Sequence, residues 1–342
     1  MRKVCQWMVL SMLVVLVSTP VSAQDFFKGK TIRLVVGYTP GGGFDTFSRL
    51  VARHLGKFIP GNPSVIVQNM PGAGSLAAAN RVYAMQPGNG LVIVVFHYSL
   101  VSQAITGDPV VKFDPSQYIY LGDPTIGALP QILYLRTDLG INNLAELGKV
   151  KKPVTLGMTG VGSSASVAGR FLETLGLPIK NVYGYRGSAR AMAAVERKEV
   201  DGRVTSQATM EGIYKRFLEN GWVKPIVSIG DEPRHKPLQG VATVKDLNLN
   251  AEQKQMTAFL QDAWKFLRIF AVPPGTPADR VAVLREAFIK AGQSKELRED
   301  ADRQGIIVDP VSGEEIAKSV MQLKQTPKPI IEKYKKLLGP AE

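Results

Sequence analysis

Apolar side chains fall along this chain in two alternating rhythms. Residues 31–38 (TIRLVVGY) form a short run rich in branched side chains, the pattern of a buried strand. Just beyond, Phe47, Leu50, Val51, Leu55 and Phe58 recur at helical spacing and give a helix one apolar face. Asp45 is placed to cap that helix or to lie in its first turn. The same grammar repeats as a strand over 64–68, a helix of small residues over 75–85 and a strand over 91–96. It returns with strands over 154–158, 181–185, 200–206 and 226–229, a helix over 166–175, and another after Ser188 that runs to Lys198. The C-terminal part reads as mostly helical. Thr276 is placed as an N-cap with Pro277 at the first helical position, and Gly292 ends the apolar stripe that follows. Ser312 and Glu315 have capping-box spacing before Ile316, Val320 and Leu323. Pro327 and Pro329 break that helix, and a last one covers 330–338. Strands alternating with helices imply an α/β chain with parallel pairing and helices over the sheet faces.

The turns between these elements carry a second pattern. Strand, Gly/Ser-rich turn and helix recur at residues 40–45, 70–75, 160–164 and 186–188. A helix N-terminus leaves about four backbone N–H groups without partners and about half a positive charge from its aligned peptides. Glycine lets a ligand approach that backbone with no Cβ in the way. Several such ends converging would hold a carboxylate without any charged side chain. One such loop is most often just a tight turn; four in one chain point to ligand binding.

Bulk properties narrow the partners. Arg2 and Lys3, the apolar run 8–17 and the small residues Val21-Ser22-Ala23 have the three parts of a secretory signal. Cleavage after Ala23 leaves 319 of the 342 residues, beyond the size at which one core usually suffices, so two lobes are expected. Cys5, the single cysteine, lies inside the signal, and the mature chain has no thiol to form a disulfide. The net charge of +13, or +11 without the signal's two cations, attracts anions to the surface. The Lys and Arg residues are scattered, with no long basic run, which argues against nucleic acid.

Enzyme signatures are weak. Residues 40–45 lack the Gly-Lys-Ser/Thr end of a P-loop and the spacing of a dinucleotide fingerprint. Ser164 resembles a nucleophile elbow, but Ser166 stands where a second glycine is needed. A secreted hydrolase using Ser163 or Ser164 with His97 is the enzyme alternative. No His/Cys cluster has metal-ligand spacing, and no cofactor is expected. His54 reads as a helical residue and His235 as exposed. Asp231-Glu232 and Glu314-Glu315 read as solvated. His97 follows a buried strand at its C-terminal end, where α/β ligands bind, and either contacts a ligand or is structural. Arg186 either pairs bidentately with a second carboxylate or is a surface charge. Tyr38 and Phe44 either wall a pocket or join the core.

The chain resembles the tripartite tricarboxylate transporter receptors, the Bug-type solute-binding proteins. The resemblance is carried by Ile32-Arg33-Leu34-Val35-Val36 leading into Pro40-Gly41-Gly42-Gly43-Phe44-Asp45, with Arg49 following. It continues through Asn69-Met70-Pro71-Gly72-Ala73-Gly74, Gly162-Ser163, Tyr185-Arg186-Gly187-Ser188 and Pro274-Gly275-Thr276-Pro277. It implies a two-lobed periplasmic binding protein of the type II Venus-flytrap kind, each lobe a mainly parallel sheet flanked by helices. Lobe 1 would comprise 24–130 and 268–342 and lobe 2 would comprise 131–267, with hinge segments near 130–137 and 267–273. The implied ligand is a small carboxylate, held on one side by Thr39, Gly42, Gly43, Phe44 and Asp45 and on another by Gly72, Ala73, Gly74 and Ser75. Ser163, Ser164, Arg186 and Ser188 would come from the second lobe. The implied setting is a periplasmic monomer that serves membrane transporter subunits; a receptor for a sensor kinase is the alternative. The family usually has glycine where Ser75 stands, often histidine at Ser166, Asp-Gly-Tyr-Thr at 89–92, and a glycine pair at Arg197-Lys198. These departures make this a divergent member.

Overall fold

The computed structural model describes residues 26–338 except 126–129, 162, 231–237 and 239. The signal-like segment 1–23, Gly162, Asp231, Glu232 and His235 lie outside the described residues. Among those described, no helix is long and apolar enough to cross a membrane.

Two sheets form the scaffold. The chain lays down β1 (Thr31–Val36), β2 (Ser64–Asn69), β3 (Val92–His97) and β4 (Ile119–Asp123) in the first. It then crosses to the second for β5 (Gln131–Arg136), β6 (Val154–Gly157), β7 (Ile179–Val182), β8 (Gly202–Ser206) and β9 (Val223–Ile229). It returns to the first for β10 (Arg268–Val272) and β11 (Val311–Ser312). The strand orders are β11-β4-β10-β3-β1-β2 and β7-β6-β8-β5-β9.

Both sheets are mixed, and the odd strands have a common cause. β1 pairs parallel with β2 and β3, and β6 with β7 and β8. β10 runs antiparallel to both β3 and β4, and β5 runs antiparallel to both β8 and β9. β5 and β10 are the strands the chain enters straight after crossing between sheets. It leaves one sheet at the carboxyl edge and joins the other at its carboxyl edge, so the next strand must run away from the junction. Arg268, the first residue of β10, therefore pairs with His97, the last of β3. Gln131, the first of β5, pairs with Ser206, the last of β8. Both carboxyl edges face one cleft.

The helices are α1 (Gly43–Leu55), α2 (Leu76–Tyr83), α3 (Ser99–Ile105), α4 (Leu144–Leu147), α5 (Ser164–Thr174), α6 (Ser188–Glu196), α7 (Gln207–Glu211), α8 (Lys215–Glu219), α9 (Ala251–Ala263), α10 (Ala278–Gln293), α11 (Lys295–Asp302), α12 (Gly313–Leu323) and α13 (Lys328–Leu338). Alternation along β1 divides the core. Ile32, Leu34 and Val36 pack with Phe47, Leu50 and Leu55 of α1 and Leu284 and Phe288 of α10. Val35 faces the other way, into a core with Ala79 and Val82 of α2 that continues through Leu133, Leu156 and Phe171 of the second sheet. Each such side chain contributes about 1.5–3 kcal/mol of burial.

Several expected boundaries moved. Thr276 is not a cap, because its hydroxyl donates to the Pro273 carbonyl at 2.8 Å and α10 starts after Pro277. α5 begins at Ser164, with Ser163 Oγ accepting the Ser166 N–H at 3.3 Å. Ser312 caps α12 as its spacing predicts, accepting the Glu315 N–H at 3.2 Å. β4 and β5 carried no rhythm in the sequence because both are buried over nearly their whole length, so no polar face alternates with the apolar one. Two of the positions where glycine gives way in this chain, Ser75 (φ 81°) and Lys198 (φ 63°), have left-handed backbones. Only glycine takes that region without cost.

Candidate functional site

The cleft is closed by loops meeting across it. A Cβ on Gly160 would sit 2.6 Å from the Gly74 nitrogen, and one on Gly187 would sit 2.2 Å from Thr39 Oγ1. One on Gly42 would sit 2.7 Å from Ser188 Oγ. The turns after β1 and β2 thus touch those after β6 and β7 with no room for side chains. Glycine is required here by close approach of backbone, the reason the sequence places it at these turns.

Closure divides the cleft into two compartments that share Tyr38 and Thr159. The outer one is a vestibule of about 650 Å³, walled by Gly72, Ala73 and Gly74 on one side and by Gly160, Tyr185 and Arg186 on the other. Arg186 is exposed there. The inner one is a chamber of about 40 Å³, room for a few water molecules. Gly43, Phe44 and His97 line it from the first sheet's side, and Ser163, Ser164 and Ser188 line it from the second's.

Other expected site residues serve as bracing. The Asp45 carboxylate accepts the Gly41 N–H at 2.9 Å, the Asn69 amide at 2.8 Å and Arg49 Nε at 3.0 Å. Burial pushes its pKa up, but these donors outweigh burial and hold it below the ordinary value. Asp45, Arg49 and Asn69 therefore tie the first glycine loop to the end of β2, and Asp45 lines neither compartment. Ser75 is fully buried, with its hydroxyl accepting the His97 N–H at 3.1 Å, and it braces β3. Thr39 and Gly42 stand at the loop contacts described above.

His97 is 2% exposed, and its Nδ1 accepts the Ser99 N–H at 2.9 Å, so the neutral ring carries its proton on Nε2. Burial, reinforced by Arg268, depresses its pKa to about 3. Nε2 has no partner in the chamber wall. Ser163 Oγ instead bonds Ser166 Oγ at 2.8 Å, and no serine is hydrogen-bonded to the imidazole, so the arrangement is not a nucleophile and its base. Tyr38 donates to the Gly74 carbonyl at 3.1 Å and stacks 4.4 Å from Phe44. Burial raises its pKa to about 12.

Sequence reasoning missed the two strongest charges in the chamber. Arg203 projects from β8 and Arg268 from β10; they are 5% and 1% exposed. Arg203 Nη1 donates to the Gly157 carbonyl at 2.9 Å. Arg268 stacks on Phe47, its guanidinium carbon 3.9 Å from the ring centre, and donates to the hydroxyls of Thr209 and Thr125. Among the described residues, neither arginine has a carboxylate within ion-pair distance. Burial lowers both pKa values, that of Arg268 to about 10. The available signal was a charge inside an otherwise apolar strand, a type rarely buried without a partner. Asp123 organises the floor. Its Oδ2 accepts the N–H groups of Leu267 (2.7 Å) and Arg268 (3.0 Å), and its Oδ1 accepts those of Thr125, clasping the two crossings between sheets.

Comparison with known proteins agrees with this geometry. The family model described as "Tripartite tricarboxylate transporter family receptor" matches residues 48–336. A UPF0065 protein from the gbd 5' region of Cupriavidus necator is 28% identical over 93% of this chain and 92% of its own length. A UPF0065 protein of Bordetella pertussis is also 28% identical, over 56% of this chain, and the match spans 59% of that protein. Among solved structures, the periplasmic binding protein BugD superposes with a TM-score of 0.73 at 21% identity, covering 91% of this chain and 98% of BugD. MatC from Rhodopseudomonas palustris, with bound malate, gives 0.68 at 21% identity over 91% of this chain and 100% of MatC. Both share the two-sheet fold.

Proposed function

The chain belongs to the family of tripartite tricarboxylate transporter receptors, and from that premise we propose that it captures a small organic carboxylate between its lobes and delivers it to membrane transporter subunits. The family is one of solute-binding receptors and not of enzymes. The observation that carries the reading is a buried chamber walled by donors without acceptors: His97 Nε2, Arg203 Nε and Arg268 Nε are all unpartnered. A carboxylate is an acceptor-only group and supplies what these lack. The amino ends of α1, α5 and α6 open at the same place, through Gly43, Ser163 and Ser188, and add their dipoles. MatC, of the same fold, is described with malate bound.

The chamber has no room for a multi-carbon acid to enter while the loops touch, so capture requires the lobes to part and close again. Residues 24–130 with 268–342 move as one lobe and 131–267 as the other, about the crossings that Asp123 clasps. The segment 1–23 directs export to the periplasm and is removed there. The closed monomer is the form the transporter recognises.

Thermal-shift screening of the mature chain against a carboxylate panel tests this reading, since a ligand of the native state stabilises it by mass action. At least one acid raises the unfolding midpoint, and small-angle scattering shows the ligand-free protein to be the more extended. A panel with no stabilising acid would sink the proposal.

A further inference from the structure

Two guanidinium groups in one small chamber ask for more than a single carboxylate. They come from opposite walls, Arg268 from the first sheet and Arg203 from the second. Arg268 Nη2 reaches the amino end of α1, where a Cβ on Gly43 would lie 2.9 Å from it. Arg203 has five N–H donors, and the structure pairs one of them, with the Gly157 carbonyl. Both lie close enough to the buried hydroxyls of Tyr38 and Tyr214 to lower their pKa values against the effect of burial. The two cations are therefore near neighbours. Asp123 is the carboxylate nearest to hand, but its oxygens are occupied by backbone N–H groups and by Thr125 on the far side of Arg268. The guanidinium's cleft side meets only the Thr209 hydroxyl. Burying two like charges without counter-ions is costly, and the closed cleft holds them so.

We infer that Arg203 and Arg268 read two separate anionic groups, one from each lobe, so that the ligand is a short dicarboxylate and closure requires both charges. This rests on the proposed carboxylate capture and adds its specificity. One carboxylate meets Arg268, His97 Nε2 and the amino end of α1. The other meets Arg203 with the hydroxyls of the second lobe. A chain of two or three carbons between them matches the proximity of the two cations. The first carboxylate alone leaves Arg203 buried and unpaired, and the lobes then stay apart.

Calorimetry of the mature protein with succinate, butyrate, monomethyl succinate and sulfate tests the inference. Succinate binds, and the two monoanions of similar length bind about 100-fold more weakly or not at all, as expected for a site that leaves buried donors unpaired with the wrong ligand. Arg203→Gln loses most of its affinity for succinate and binds succinate and butyrate alike. Its ligand-free midpoint does not fall, whereas removing a purely structural arginine lowers it. Arg268→Lys, which keeps the charge, retains the preference for succinate. Butyrate within threefold of succinate in the wild type, or an unchanged preference in Arg203→Gln, overturns the inference while leaving carboxylate capture standing. Sulfate tighter than succinate overturns the dicarboxylate assignment. A wild type that binds none of the acids defeats the underlying reading instead.

Discussion

The vestibule and the chamber are neighbours built on different chemistry. The vestibule is wide, and its walls are glycine loops with one exposed arginine, Arg186. The chamber is narrow, and its walls are buried side chains with two arginines and a neutral histidine. In the first, backbone forms the walls and a charge is screened by water. In the second, each donor is dry, so an unmet one costs about 1–3 kcal/mol and more when charged. Admission belongs to the vestibule and discrimination to the chamber.

Perturbing each compartment tests this division. The largest effect is expected at Asp123, whose loss strands the N–H groups of Leu267, Arg268 and Thr125 beneath the chamber. Asp123→Ala should lower unfolding stability by about 3–5 kcal/mol in urea titration, and an effect below about 1 kcal/mol would show that the clasp is not built as described. Next comes Gly160→Val, which sets a side chain against the Gly74 backbone across the cleft. Affinity should fall about 100-fold, or about 2.7 kcal/mol, with an unchanged urea midpoint, because the clash exists only when the lobes are shut. Unchanged affinity would mean that the ligand is held without these loops touching.

A smaller effect separates the two compartments by pH. His97 titrates at about 3 in the folded chain and near 6.5 when unfolded. Its folded value is depressed, so the unfolded chain binds the extra proton as pH falls below 6.5. Its contribution is intact above pH 6.5 and is lost by about 1.4 kcal/mol per unit on the way down toward 3. His97→Gln should show a correspondingly flatter decline of stability between pH 6.5 and 4.5, and parallel declines would refute a buried neutral imidazole. The smallest effect belongs to Arg186→Ala. Its exposed charge should change affinity by less than about 1 kcal/mol and mainly reduce the salt dependence of the association rate. A loss as large as that of Arg203→Gln would place discrimination in the vestibule.

Much of this molecule was written in local patterns. Periodicity located β1 to β3 and α1, because each has one face buried and one less so. The glycine turns at 40–43, 72–74 and 187 were legible because close approach of backbone leaves no other residue possible. The chain's family, and the α/β class, follow from those patterns in order. β4 and β5 were illegible because strands buried on both faces have no alternation to read. Asp45 and Ser75 looked like ligand contacts because helix starts and ligand loops favour the same residues, and only the partners Asn69, Arg49 and His97 reveal them as braces.

The sequence alone therefore determined the units: which segments are strands, which turns need glycine, and which ends of helices are left with free N–H groups. The tertiary structure alone decided which of those units meet. Arg203 and Arg268 are 65 positions apart and on different sheets, and nothing local marks them as a pair. They converge because the chain crosses between sheets twice at the carboxyl edges, reversing β5 and β10 and setting the mouth of each sheet against the other. Charge, burial and a missing counter-ion are properties of that meeting and not of either residue.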